Sequence, residues 1–173
     1  MITHIRNQSA KYARRKQSGV YIVEFAIVGS LVLTVLFGTM EVSRVFFTVN
    51  MLEEATRRGA RVAAVCPVDS PAINRASIFN SSGAGTASPI LPNLTTANIE
   101  VQYLDSAGVA VTDYAGDADR YRAIDFVRVQ IINYQHDMLI PGFIYSFQTR
   151  GYATTIPRES LGKYEDNRTS TCT

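Results

Sequence analysis

The sequence predicts an α+β protein in which a long, membrane-spanning N-terminal helix packs on a small antiparallel β-sheet. Two observations predict the helix: residues 25–40 carry no charge, and apolar residues recur at helical spacing beyond them, as far as Pro67. A third observation predicts the sheet, because several short segments within residues 97–157 alternate apolar and polar side chains. A sheet of this size needs cover on one face, which we expect the second half of the helix to provide.

The first part of the predicted helix is long enough to cross a membrane. Residues 25–40 would span about 24 Å, and starting at Val20 extends the helix to about 31 Å, close to a hydrocarbon core of ~30 Å. This longer span includes Glu24, a carboxylate that is costly in a membrane and is therefore often functional. Before Glu24 the chain has no acid and five basic residues, which are Arg6, Lys11, Arg14, Arg15 and Lys16. The positive-inside rule then puts residues 1–19 in the cytoplasm and the chain after about Arg44 outside.

A secretory signal peptide is the competing interpretation of the apolar segment. It would need a small-x-small cleavage site just after Met40, and the sequence EVSRVFFTVNM offers none. Helical spacing continues instead, with two i,i+4 pairs in the favourable orientation, Glu53 with Arg57 and Glu54 with Arg58. Because Pro67 must stop a helix, we predict one helix from about Gly19 to Cys66, roughly 70 Å long. Its part 20–42 is predicted to be transmembrane and its part 43–66 amphipathic.

The rest of the chain divides into three predicted segments. Residues 67–96 form a loop-rich connector with a short helix, for which Ser70 is the N-cap and Pro71 the first residue. Residues 97–157 form an antiparallel sheet of three or four strands, drawn from NIEVQYLD, VAVTDY, DFVRVQIINY and YSFQTRGYATTI. HDMLIPGF, between the last two, is predicted to be a loop or one helical turn. The polar tail 158–173 is predicted to be loose unless a disulfide holds it.

Composition excludes several functional classes. A net charge of +2 gives no general case for binding nucleic acid. The two cysteines, Cys66 and Cys172, fit no metal motif, and they are either free thiols or one long-range disulfide in an oxidising compartment. The chain has only two histidines, no nucleophile elbow and no phosphate loop, so we predict no enzyme, no cofactor and no metal site.

Two polar motifs are weaker signals. Asp113, Asp117 and Asp119 have the oxygen ligands that calcium prefers, but their spacing is not that of an EF-hand loop, and a solvated turn explains them more simply. Asn93 begins a glycosylation sequon, a tripeptide that often arises by chance.

The junction KQSG–VYIVEF resembles the prepilin peptidase site of type IV pilin-like proteins. With the residues that follow, the resemblance narrows to the TadE-like proteins, the pseudopilins of the tight-adherence (Flp) pilus system. It covers about residues 10–65, and the rest of the chain carries no matching signature. The matching positions are Gly19, Val23, Glu24, Phe25, Ala26, Phe37, Gly38, Glu41, Ala55, Arg57, Gly59, Ala60 and Arg61.

The resemblance implies that residues 1–19 are a leader peptide, cut off after Gly19 by a prepilin peptidase on the cytoplasmic face. Val20 would become the new N-terminus, and the recognition context would be Arg15, Lys16 and Phe25. Glu24 would lie one helical turn after Val20, where it could pair with the new α-amino group or with that of a neighbouring subunit. Because a paired carboxylate is tolerable in hydrocarbon and a lone one is not, Glu24 would fix the register between subunits.

The resemblance also implies a function. The chain would be a minor pilin or pseudopilin, a structural subunit whose partners are the prepilin peptidase, other pilins and the inner-membrane assembly platform of an adhesive pilus. It would lie in the bacterial inner membrane with a cytoplasmic N-terminus and a periplasmic C-terminal domain, and it could also enter the extracellular filament. The residues leave one alternative open, a single-pass membrane anchor with an external ligand- or surface-binding domain.

Overall fold

The computed structural model describes residues 18–81, 83, 85–139, 146–148, 151–163 and 169–172. The chain divides into two compact units, a first unit that ends at Val42 and a second unit, Ser43–Thr173. One helix, α1 (Ser18–Val65), begins in the first unit and ends in the second. The predicted α+β class is confirmed, since this long apolar helix packs on a small antiparallel sheet.

Three strands form the main sheet of the second unit: β1 (Ile99–Leu104), β2 (Phe126–Ile131) and β5 (Tyr152–Pro157). Their order is β1-β2-β5 and both pairings are antiparallel. Two shorter strands, β3 (Gln135–Asp137) and β4 (Ser146–Gln148), form a separate antiparallel pair. The predicted sheet is therefore present, and a second small sheet accompanies it.

The core of the second unit lies between the sheet and one face of α1. On β2 the inward side chains are Val127, Val129 and Ile131, and the outward ones alternate with them, as the sequence predicts. The helix contributes mostly small side chains to this core, namely Leu52, Ala55, Ala60 and Ala63. Small side chains allow the sheet to approach the helix closely, and most of the larger core side chains come from the strands, α2 and the segments that connect them.

The helix α2 (Pro71–Ser77) follows α1 after a short turn. Ser70 is its N-cap, accepting the N–H of Ala72, and Pro71 is its first residue, which confirms the sequence prediction. Ser77, at the end of α2, is buried against α1 at Gly59. A Cβ on Gly59 would collide with the Ser77 hydroxyl and lie 3.0 Å from Val129 Cγ1, so this crossing requires glycine.

The start of the tail covers the C-terminal end of α1. The carbonyl of Ala64 accepts N–H groups of Glu159 and Leu161, both at 3.1 Å, and that of Val65 accepts the N–H of Gly162 at 2.8 Å. The last carbonyls of a helix have no partner within it, so residues nearly a hundred positions away provide the C-cap of α1. Leu161 is buried, which further anchors this segment. Residues 164–168 and 173 of the predicted tail lie outside the described residues.

Three strand predictions need correction. VAVTDY is not a strand: it makes only an isolated bridge, Leu104 to Ala110, because the chain turns away at Asp113, where φ is 62°. YSFQTRGYATTI is two strands, since β4 pairs with β3 whereas β5 pairs with β2. In HDMLIPGF, His136 and Asp137 belong to β3 rather than to a loop, and residues 140–145 lie outside the described part. A short helix, α3 (Ala118–Arg122), was not predicted.

Candidate assembly helix and peptidase junction

Apart from Glu24 and a few hydroxyl-bearing residues, the surface of α1 in the first unit is apolar on every side. Large side chains are exposed all round it, from Val20 at 66% to Phe25 at 79% and Met40 at 63%. Among the described residues, α1 is the one helix whose length and composition suit a membrane span, and none of its most apolar window is buried in the protein. A core helix of a soluble protein would be covered, so this segment needs lipid or other protein around it.

Hydroxyl groups inside the apolar segment are satisfied by the helix itself. Ser30 donates to the carbonyl of Ile27 and Thr34 to that of Ser30, both at 2.8 Å, and Thr39 donates to Leu36 at 2.9 Å. In hydrocarbon a polar group without a partner costs several kcal/mol. These local bonds allow the segment to present hydroxyl-bearing residues to an apolar environment.

The predicted peptidase junction lies in the first turn of α1. Gly19 and Val20 are its second and third residues, and a Cβ on Gly19 would meet nothing within 4 Å. Glycine favours helix by about 1 kcal/mol less than alanine, so Gly19 lowers the helical stability of this part of α1. Arg15 and Lys16 of the predicted recognition context lie outside the described residues.

Glu24 and Phe25 lie one turn further along the helix, and both are exposed. Val20 and Glu24 are four residues apart, which puts their Cβ atoms about 5–6 Å apart on one face. An α-amino group at Val20 would consequently be within reach of the Glu24 carboxylate.

The downstream positions of the resemblance have two different surroundings. Ala55, Gly59 and Ala60 are buried and pack against the sheet and α2. Arg57 and Arg61 are exposed on α1, and Arg57 binds Glu53 at 3.2 Å. The small residues therefore serve the fold of the second unit, whereas the arginines point away from its core.

Cys66 and Cys172 are joined by a disulfide, with their Cα atoms 5.8 Å apart. Cys66 directly follows α1, so the disulfide holds the end of the described tail beside this helix. The start of the same tail caps the helix through hydrogen bonds. The two cysteines are separated by 106 positions, which makes this bond the covalent closure of nearly the whole second unit.

A cluster around Asp69 was missed by the sequence analysis. The N–H of Asp69 donates to the Tyr103 hydroxyl, and the Tyr114 hydroxyl donates to the Asp69 carboxylate, both at 3.0 Å. The two rings meet edge to face at 5.1 Å. Burial raises the pKa of Tyr103 to about 12. Burial, followed by the hydrogen bond to Asp69, also raises the pKa of Tyr114. The cluster fixes the turn between α1 and α2, and its members are too distant in sequence for a local pattern to reveal.

The weaker polar motifs have structural roles. Asp117 is the N-cap of α3, where its carboxylate accepts N–H groups of Asp119 and Arg120. Among the described residues no three His, Cys, Asp or Glu side chains are grouped so that they could hold a metal ion. The amide of Asn93 donates to the Asp137 carboxylate at 2.7 Å, so its nitrogen is already engaged.

An apolar helix that continues into a small α+β unit defines a class of protein anchored by one N-terminal helix. Within that class, residues 19–61 match the family of TadE-like proteins, which confirms the resemblance seen in the sequence. This TadE-like segment associates the chain with a tight-adherence pilus, and the family is a structural rather than an enzymatic one. A search of curated proteins and a search of solved structures gave no match. The family match ends within α1, so the sheet has no counterpart among these comparisons.

Proposed function

We propose that the chain is a minor pilin or pseudopilin, a structural subunit for assembly of a tight-adherence pilus, matured by prepilin peptidase cleavage after Gly19. The observation that carries the proposal is the exposed apolar segment of α1 with Glu24 five residues after Gly19, inside the TadE-like match. An anchor needs only apolar residues. A carboxylate at this spacing is explained by the amine that cleavage would create.

The all-round apolar surface supports a role in assembly. A subunit must exchange lipid for neighbouring helices when it leaves the membrane, and both environments are apolar. In the first unit the exposed large side chains point in every direction rather than along one stripe. Such a helix can be surrounded by lipid or by several partner helices, which are here the other pilins and the inner-membrane assembly platform.

Glu24 would set the register of those contacts. An ionised carboxylate alone in hydrocarbon is strongly unfavourable, and pairing it with an α-amino group removes much of that penalty. The amine of Val20, on the same chain or on a neighbour, is the matching cation. Because the carboxylate is favourable only where an amine lies beside it, helices that slide out of register lose the pair.

Two features support a cytoplasmic N-terminus and a periplasmic second unit in a bacterial inner membrane. The basic residues before Glu24 favour the cytoplasmic side. The Cys66–Cys172 disulfide requires an oxidising compartment, which the periplasm is and the cytosol is not.

Leader processing provides the test. The intact mass of the membrane-extracted chain would be measured with and without a prepilin peptidase, for the wild type, Gly19→Ala and Gly29→Ala. We expect the peptidase to remove residues 1–19 from the wild type and from Gly29→Ala but not from Gly19→Ala. Gly29 is the matched control because it lies in the same helix, and a Cβ there also meets nothing within 4 Å. A chain that remains uncut with an active peptidase would make it a plain membrane anchor with an external binding domain.

A further inference from the structure

A groove runs along the second unit where α1 passes α2. It has a volume of about 400 Å³, and its lining includes Glu54, Arg58, Arg61, Val62, Ala76 and Phe79. An adjoining cavity of about 350 Å³ shares Val62 and Ala76 with it and reaches the Cys66–Cys172 disulfide. Because they share lining residues, we refer to the two together as the α1–α2 groove.

The floor of the α1–α2 groove is apolar. Val62, Ala76 and Phe79 are all half-buried, so part of each side chain is still open to solvent. The Arg58 guanidinium lies 5.0 Å from the centre of the Phe79 ring, a cation–π contact that holds the ring at the edge of the groove. An aliphatic or aromatic side chain would complete the cover of this floor.

The described lining of the groove carries two arginines and one carboxylate, an excess of one positive charge. Arg58 binds Glu54 at 2.9 Å, and Arg57 is paired with Glu53. The hydrogen bond from Arg58, together with the charges of the nearby arginines, lowers the pKa of Glu54. Arg61 is exposed, and no acid among the described residues lies within ion-pair distance of it. Because Arg61 is exposed and has no ion pair within the described part of the chain, its guanidinium can bind an acceptor from another molecule.

We propose that the α1–α2 groove binds a partner protein through a segment in which a carboxylate side chain stands beside an aliphatic or aromatic one. The carboxylate binds Arg61, whose planar guanidinium suits two parallel hydrogen bonds, and the apolar side chain covers Val62, Ala76 and Phe79. Glu54 at the same rim disfavours a doubly charged phosphate more than a single carboxylate. The proposal concerns the second unit and does not depend on cleavage after Gly19.

Photo-crosslinking in cells tests this proposal on the full chain. A photo-reactive residue at Ser81, which lines the edge of the groove, is compared with one at Ser106, in an exposed turn that follows β1. Each is combined with the wild type, with Arg61→Glu, or with Arg120→Glu as the control. Arg120 is an exposed arginine on α3 and takes no part in the groove.

We expect a crosslink from Ser81 that maps to a partner segment with Asp or Glu within a few residues of a large apolar side chain. Arg61→Glu should reduce its yield roughly tenfold or more, because an attractive charged hydrogen bond becomes a repulsion, whereas Arg120→Glu should leave it unchanged. The proposal would be overturned if Ser81 gave no crosslink, a product with lipid, or the same yield as Ser106. It would also be overturned if the mapped segment had no carboxylate, or if Arg61→Glu left the yield unchanged. Circular dichroism of the purified variants verifies that the fold is intact.

Discussion

The two halves of α1 differ in the size and in the exposure of their apolar side chains. Around Leu31 the helix carries large apolar side chains that nothing in the first unit covers, whereas around Ala60 it carries small ones that are completely buried. Large exposed residues leave the first half dependent on lipid or other subunits. Small buried residues let the second half accept a sheet from its own chain. One continuous helix can therefore be an assembly element at one end and the wall of a folded core at the other.

This comparison predicts that the second unit can unfold while the first half of α1 stays helical in a micelle. Three changes that lower the stability of the second unit test this prediction. In each case circular dichroism measures how much helix remains once the second unit has unfolded.

The largest effect is expected from opening the disulfide. Replacing both Cys66 and Cys172 with serine frees a loop of over a hundred residues in the unfolded state, and the chain-entropy model gives a loss of ~5 kcal/mol. Urea unfolding of the chain in detergent, followed by circular dichroism, measures the change. The wild type should shift toward the variant on addition of a reductant, and the variant itself should not respond. Equal midpoints for the two proteins would show that the tail is held by its hydrogen bonds to Ala64 and Val65 alone.

A somewhat smaller effect is expected from Gly59→Leu. The new side chain would collide with Ser77 and Val129, and overpacking of this kind typically costs 1–3 kcal/mol. Gly29→Leu is the control, since space is open around Gly29 and a leucine there should leave the unfolding midpoint of the second unit unchanged. If both substitutions shifted the midpoint equally, the two halves of the helix would not be energetically separate.

The structure also shows which of these features a sequence can reveal. The apolar run, the stop at Pro67 and the N-cap at Ser70 are local, so residue spacing is sufficient to predict α1 and α2. The alternation of apolar and polar side chains along β2 could likewise be predicted from the sequence. By contrast, whether β4 and β5 are one strand or two depends on which partner each finds, and pairing is not encoded in the alternation of one segment. The C-cap of α1 came from the tail for the same reason.

The features of the candidate site also divide into local ones, which the sequence predicts, and ones that depend on long-range packing. The spacing of Gly19, Val20 and Glu24 is local and was visible from the sequence. The pairs of Glu53 with Arg57 and of Glu54 with Arg58 are local as well, and the sequence predicts them. The α1–α2 groove joins α1 to α2 and to the tail, and this long-range packing could not be predicted from the spacing of residues along one helix.

The third change is a rise in pH, which acts on the second unit through Tyr103. Burial raises the pKa of this tyrosine to about 12 in the folded protein, against an ordinary value of about 10. The folded state therefore holds the proton more tightly, and the resulting stabilisation is complete below pH 10 and is lost as the pH rises through 12. Two pKa units correspond to at most about 2.7 kcal/mol.

Tyr103→Phe separates this titration from other alkaline effects. The variant loses the hydrogen bond from the Asp69 N–H, so it should be less stable at neutral pH, but its stability should decline less steeply between pH 10 and 12. Urea midpoints measured at intervals of half a pH unit give the two slopes. Throughout this range the first half of α1 should keep its helix signal, because Tyr103 belongs to the core of the second unit. If the stability of the wild type and of the variant fell with pH at the same rate, Tyr103 would not control the alkaline stability. If the helix signal were lost completely together with the sheet, the two halves of α1 would unfold as one.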